Sequence, residues 1–458
     1  WCCGPGRTGR PRPPGGGRET MGVMNFLKPR SDAPAARKPG VFAGLDIGAS
    51  KTTCFIARTE QTLAGLRPRV IGVGHVSTKG VRAGAVVDME AASASVRGAV
   101  ENAEAMAGQA VTDITVSAAA GAPSSTRIAV DMDLASREVT DRDLRRVLGE
   151  ALRRHHEPGR VVLHALPLSW RVDGHRGVKD PRGMFGEALG VDVHIVSAAA
   201  DPVQNLIACV ERCQLNVAGV VAAPYAAGLS ALSADEMELG VLVIDMGAQV
   251  TSAAIFNEGA LQHLDCVSVG GAHVTNDIAR GLSTPVSAAE RIKALHGCAL
   301  DSPDDDRMVI EAPPVAGASE TGMAQHPRAL LNAIVRPRLE EIFELIRDRL
   351  DAAGAREAGG RQMVLTGGAA QLPGTAELAG RVLGKQARIG RPASLAGLGD
   401  AVAGPAFSAC AGIVHRQVTG PAEAIAGPPR FEARTSVRRF EATERGPAAI
   451  WRWFAESF

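Results

Sequence analysis

Two ten-residue segments set 199 positions apart carry the same pattern of residues able to do chemistry. One reads Gly44-Leu45-Asp46-Ile47-Gly48-Ala49-Ser50-Lys51-Thr52-Thr53, the other Val243-Ile244-Asp245-Met246-Gly247-Ala248-Gln249-Val250-Thr251-Ser252. Each is an apolar run, an Asp, an apolar residue, a Gly, a small residue, a polar turn and the start of a second strand. That predicts two β-hairpins with a carboxylate at the end of each first strand. Tight turns of small residues present successive backbone N–H groups to phosphate oxygens. A carboxylate beside each turn can hold, through water, the Mg²⁺ that travels with a nucleotide. A single Asp-x-Gly hairpin is an ordinary turn, but two related copies from two lobes form a clamp for a polyphosphate. The candidates are Asp46, Gly48, Ala49, Ser50 and Lys51 in the first copy, and Asp245, Gly247, Ala248 and Gln249 in the second. Asp46 and Asp245 are the metal candidates.

Other patterns add to the clamp. Val364-Leu365-Thr366-Gly367-Gly368-Ala369-Ala370 places a double glycine after a strand, where a flat ligand or a helix start approaches the backbone; Gly367, Gly368 and Ala369 are its candidates. Gly270 and Gly271 form a second double glycine. Glu290 and Lys293 fall at i and i+3 on one helical face, a spacing also common in solvated surface pairs. No catalytic residue is assigned. A Walker A sequence, H-E-x-x-H and G-x-S-x-G are absent from the sequence. Cys209 and Cys213, at i and i+4 on an apolar helix face, read as core packing.

These residues need a scaffold of alternating elements. Short apolar runs at 41–45, 70–76, 191–196, 241–244 and 363–365 read as strands. Helical periodicity covers 91–106, 141–154, 202–213 and 328–350. The alternation is an α/β reading, and 458 residues suggest roughly three domain-sized units. With 45% hydrophobic and 22% charged residues the chain is not largely disordered. Its net charge of +1 argues against a nucleic-acid binder that neutralises many phosphates. The longest apolar stretch, 217–232, contains Pro224 and does not read as a membrane span. Eight cysteines without a C-x-x-C pair suit a reducing compartment.

The two ends differ from this middle. Residues 1–40 hold eight basic against two acidic residues and read as a disordered or misread extension. Residues 416–447 read as a linker broken by Gly420-Pro421, Gly427-Pro428-Pro429 and Gly446-Pro447. The tip at 448–458 becomes apolar again. On a helical wheel Ile450, Trp451, Phe454 and Phe458 share one face bordered by Trp453, with Arg452 and Glu456 opposite. Such a segment is too short to span a bilayer and suits its surface. Arg430, Arg434, Arg438, Arg439 and Arg445 add attraction to anionic lipid.

The order of parts resembles the actin-like ATPase superfamily. Residues 46–51 and 245–252 look like its two phosphate loops, 222–232 and 409–412 like its connecting segments, and 366–369 like its adenosine motif. Within it the chain resembles the FtsA family of bacterial cell-division proteins. The matching stretches are Arg160-Val161-Val162-Leu163-His164-Ala165-Leu166-Pro167, Ala208-Cys209-Val210-Glu211-Arg212-Cys213, Leu295-His296-Gly297-Cys298-Ala299-Leu300 and Leu365-Thr366-Gly367-Gly368-Ala369-Ala370-Gln371. The resemblance implies an actin-like ATPase fold of two lobes with duplicated sheet cores. Subdomain IA takes 41–117 and 198–238, IC (SHS2-like) takes 118–197, IIA takes 239–274 and 338–415, and IIB takes 275–337. The 448–458 tip follows on its linker.

It also implies ATP and Mg²⁺ as cofactors and self-association into filaments. The implied partners are the FtsZ C-terminal tail, later divisome proteins through IC, and an anionic membrane, with no nucleic acid. The implied location is the cytoplasmic face of the inner membrane at the division site. Arg328, Arg336 and Arg338 are the candidates for the acidic FtsZ tail, although 328–351 holds five Arg against five acidic residues. The chain departs from the family at two places. The second loop carries Ala248 and Gln249 where relatives have glycines, and Ala223 stands before Pro224 where many relatives place a water-orienting Glu or Gln. ATP binding with slow hydrolysis is the expectation. A pilus-assembly adaptor such as PilM, or a sugar kinase, shares the fold and is the alternative.

Overall fold

Each phosphate-loop candidate sits in a strand meander that recurs in the two lobes. The computed structural model describes residues 40–62, 65–315, 322–392, 395–420, 423–424, 427–429 and 431. In the first lobe Val41–Ile47, Lys51–Thr62 and Gly65–Ser77 form an antiparallel meander, and Asp113–Ala118 and then Asn216–Ala222 add in parallel beyond Val41–Ile47. The second lobe repeats this order with Val241–Met246, Thr251–Asn257 and Ala260–Val267, followed by parallel Gln362–Thr366 and Gln386–Ile389. Parallel neighbours need crossovers, and helices supply them. Met89–Ala107 is one: Asp88 caps its first turn by accepting from the Glu90 and Ala91 N–H groups, and Gly108, at φ 69°, ends it.

Among the described residues three buried cores follow the three larger sheets, and a fourth gathers Phe55, Ala57, Val70, Phe407 and Cys410. Leu45, Ile56, Val116 and Val220 fill the first lobe, and Ile244, Met246, Phe343 and Leu365 the second. Between Asp113–Ala118 and Asn216–Ala222 the chain inserts a third, antiparallel sheet in the order Ser124–Glu138, Phe185–Ala199, Arg160–Val172, His175–Val178. Helix Asp141–Arg154 covers it, its Val147 packed in one core with Val130, Leu134, Trp170 and Leu189. The insert's sheet therefore begins after Asp113–Ala118, which pairs within the first lobe, so 118 itself belongs to the lobe rather than to IC.

The expected strands and helices all appear, mostly lengthened by a few residues at their ends. Two further expected boundaries differ. Helix Arg328–Ala352 runs unbroken through Pro337, so no break separates IIB from IIA at 337. Leu331, Val335, Leu339 and Phe343 stay buried along its length and hold it together despite the lost hydrogen bond.

The second difference lies where the linker was expected to begin. Helix Ser408–Thr419 continues to 419, and the chain then docks on the insert. Ala424 N–H donates to the Ala165 carbonyl at 2.9 Å. Glu423 accepts from Arg416 Nε at 2.9 Å and from His164 Nδ1 at 3.1 Å. His164 Nε2 accepts from Ala222 N–H at 2.9 Å, which fixes the proton on Nδ1. Phe431 packs on the first-lobe core. A buried carboxylate satisfied from two sides holds this stretch where breaker residues predicted a free linker. Apart from 416–420, 423–424, 427–429 and 431, the expected linker lies outside the described residues, as do the tip and residues 1–39.

Candidate nucleotide site

Two helices join the lobes: Ala223–Ala231 and Ser408–Thr419, tied by a 2.7 Å bond from Ser230 Oγ to the Ser408 carbonyl. Above them lies a cavity of about 910 Å³. Every nucleotide-binding candidate lines it except Gly270. Gly270 stands one layer behind, where a Cβ would come within 2.5 Å of the Gly247 carbonyl, so it lets the second loop and helix Gly271–Gly281 touch. The two hairpins match in register: Asp46 faces Thr53 and Asp245 faces Ser252. Each turn closes the same way, Gly48 N–H to the Lys51 carbonyl at 3.0 Å and Gly247 N–H to the Val250 carbonyl at 2.9 Å. Gly367, at φ 85°, is required less by a ligand than by Asp245: a Cβ there would lie 2.5 Å from Asp245 Oδ1.

The electrostatics suit a divalent cation. Desolvation raises the Asp46 carboxyl, against a hydrogen bond from Ser117 Oγ and the charge of Lys51. Desolvation, together with the nearby Asp46 charge, pushes Asp245 up to about 7. Asp245 has no hydrogen-bond partner among the described residues. Two facing carboxylates that each resist ionisation are what a divalent cation would relieve. No group of three or more His, Cys, Asp or Glu gathers as a metal cage among the described residues. Two carboxylates plus substrate phosphates suit Mg²⁺, which keeps much of its water. Burial also lowers Lys51 to about 8; its Nζ donates to the Ala406 carbonyl at 2.9 Å and lies 3.1 Å from the centre of the Phe407 ring.

On the opposite wall Lys293 Nζ bonds Glu290 Oε2 at 2.8 Å, Thr275 Oγ1 at 2.8 Å and the Gly271 carbonyl at 3.1 Å. Burial pushes the Glu290 carboxyl up, but the Lys293 and Thr275 bonds outweigh it and leave the group below its usual range. This pair thus forms part of the cavity wall and is no loose surface pair. Ala223 lines the cavity with a methyl group alone. Gln249 turns its amide away from the second loop's own backbone: Oε1 accepts from Ala83 N–H, in the first lobe, at 2.7 Å. Residue types alone did not reveal Ser117, Thr275 or the 405–407 segment. Ser117, next to last in the strand parallel to Val41–Ile47, follows the Leu45–Val116 pair and so comes beside Asp46.

The candidates for a peptide partner are not gathered as free cations. Arg336 pairs with Asp301 at 2.7 Å and Glu340 at 2.9 Å. Arg338 pairs with Asp277 at 2.5 Å and with Glu341. Arg328 donates to the His296 carbonyl at 3.0 Å and lies 3.5 Å from Asp305. Ile450, Trp451, Trp453, Phe454 and Phe458 lie outside the described residues. No described helix is long and apolar enough to cross a membrane.

Comparison with known proteins agrees with this architecture. The family model "Cell division protein FtsA" matches residues 242–412, and "SHS2 domain inserted in FTSA" matches 121–197. The chain is similar to cell division protein FtsA of Rhizobium meliloti (strain 1021), 41% identical over 446 residues, covering 96% of this chain and 99% of that protein. It is 33% identical over 380 residues to cell division protein FtsA of Escherichia coli (strain K12), covering 81% and 89%. Among solved structures, the PilM-PilN type IV pilus biogenesis complex superposes with a TM-score of 0.58 at 19% identity, over 82% of this chain and 98% of that one. That likeness bears on the fold alone.

Proposed function

Because the chain belongs to the FtsA family of cell-division proteins, we propose that it binds Mg-ATP between its lobes, assembles into actin-like filaments and ties FtsZ to the membrane. The observation that carries the nucleotide reading is the matched pair of hairpins ending in Asp46 and Asp245 on one cavity. Asp46 and Asp245 would hold Mg²⁺ through water. When bound, the ion supplies charge neutralisation for the phosphates. The N–H groups of the two loops and the Lys51 ammonium orient the phosphates. Gly271, Thr275, Glu290, Lys293 and the 367–369 turn form the wall for the nucleoside. Ala223 offers no oxygen or nitrogen to hold an attacking water, so bound nucleotide acts more as a switch than as fuel. Calorimetry of Mg-ATP with wild type and Asp245→Ala tests this reading; equal affinities would remove the assignment.

The partner readings rest on the family. The FtsZ tail docks on the 275–337 region and the start of helix Arg328–Ala352, where an acidic peptide exchanges with the intramolecular partners of Arg336 and Arg338. Later divisome proteins use the inserted subdomain. The tip at 448–458 lies on the cytoplasmic face of the inner membrane at the division site. Burying Ile450, Trp451, Trp453, Phe454 and Phe458 gains roughly 1.5–3 kcal/mol each, and ordering the tip costs roughly 1–2 kcal/mol per residue. Near-balance makes a single tip a weak anchor, and a filament carrying many tips a strong one.

A further inference from the structure

We propose that Gln249 is a positioning residue that straps the phosphate end of the cleft shut, an inference that rests on the nucleotide reading above. Gln249 stands at the position in the second hairpin that Ser50 occupies in the first. Both positions hold the same loop, from opposite sides. The Ser50 carbonyl accepts from Thr78 N–H at 3.0 Å, and Gln249 Oε1 accepts from Ala83 N–H at 2.7 Å. Thr78 is further fixed by a 2.7 Å bond between its hydroxyl and that of Thr52. Ala83 holds φ 48° in the turn between strands Val81–Arg82 and Ala85–Val86, a left-handed conformation that a non-glycine residue keeps only when its surroundings favour it. Thr78 and Gly84 line the cavity.

The loop therefore runs from one hairpin tip to the other beside the phosphate candidates. Its far end is attached to the second lobe through the Gln249 side chain. A residue without a side-chain acceptor at 249 would leave that end held by the first lobe alone. The strap slows escape of a bound polyphosphate, because the lobes separate only after the Gln249 bond breaks.

The test uses the full chain with Mg²⁺ and a ribose-labelled fluorescent ATP, chased by unlabelled ATP in a stopped-flow instrument. Gln249→Met keeps the length and loses the acceptor; Gln249→Glu keeps an acceptor. Dissociation should be about threefold to tenfold faster in Gln249→Met, the range one net hydrogen bond allows, with the variant still folded by circular dichroism. Amide exchange across 80–86 is read without nucleotide. It should be faster in Gln249→Met and close to wild type in Gln249→Glu. A wild-type dissociation rate in Gln249→Met overturns the strap, whatever the exchange shows. Failure of the wild-type protein to bind the labelled ATP overturns the nucleotide reading and the strap together, and is recognised because it precedes any comparison of variants.

Discussion

Asp245→Asn removes one negative charge from the floor of the cleft while keeping its shape. In the folded protein burial and the Asp46 charge move the Asp245 carboxyl from 3.8 to about 7. A proton held more tightly in the fold than in the unfolded chain stabilises the fold at acid pH. That contribution is complete below pH 3.8 and is lost as the pH rises through about 7. At about 1.36 kcal/mol per pH unit the interval amounts to roughly 4 kcal/mol. The cavity is open to water, so screening removes much of it; a quarter leaves roughly 1 kcal/mol. For a lobe-sized unit that is about 2–4 °C in melting temperature. Nucleotide-free Asp245→Asn should therefore melt a few degrees above wild type at pH 8.5 and by only about a third as much at pH 5, where the folded wild type holds the proton but the unfolded chain has largely lost it. The same variant should bind Mg-ATP at least about tenfold more weakly. Thermal melts across pH, paired with calorimetry, check both. A melting difference that is the same at pH 5 and pH 8.5 would refute the buried-carboxylate argument. Unchanged Mg-ATP affinity would refute the cation assignment.

Steady-state hydrolysis by the pure protein should stay below about 1 s⁻¹, at the low edge of enzyme rates, because Ala223 cannot hold water; phosphate release measures it, and tens per second would contradict the reading. Arg336→Glu with Arg338→Glu should reduce binding of an FtsZ C-terminal peptide in fluorescence anisotropy, with circular dichroism confirming the fold. Undiminished binding by the folded double variant places that site elsewhere. Trp451→Glu should release filaments from anionic liposomes in co-sedimentation while leaving Mg-ATP affinity unchanged. Full retention on liposomes would exclude the tip as anchor.

The hairpins were legible because their pattern is local and occurs twice. Asp at a strand end, a glycine turn and a second strand specify register within ten residues, and Asp46 and Asp245 duly face one cavity. Helix Asp141–Arg154 was legible end to end for a similar reason, through its apolar spacing. What depends on distant partners was not legible. Gln249 reads as a phosphate-loop residue until the fold brings Ala83 to it, and Gly270 reads as a ligand contact until Gly247 is seen behind it. That Arg336 and Arg338 are paired from other segments was not legible either, because Asp301 and Asp277 lie far from them in the chain. Glycine and proline punctuation predicted a linker from 416, but a single buried carboxylate 259 residues from His164 in the chain overrides it.

The docking of Glu423 and Ala424 decides where mechanical load enters the molecule. Tension on the chain beyond Phe431 meets, in turn, the Phe431 packing, the Ala424–Ala165 hydrogen bond and the Glu423 pairs, before it reaches helix Ser408–Thr419. Once the Phe431 packing yields, the strand Arg160–Val172 takes the pull, and its His164 ring passes it to Ala222, one residue from the cavity wall at Ala223. A pull on the chain beyond Phe431 would act on the insert and on the segment between the lobes at Ala222 before it reached the end of the last helix. None of these attachments lines the cavity between the lobes, so their yielding would free more chain while leaving the cavity walls in place.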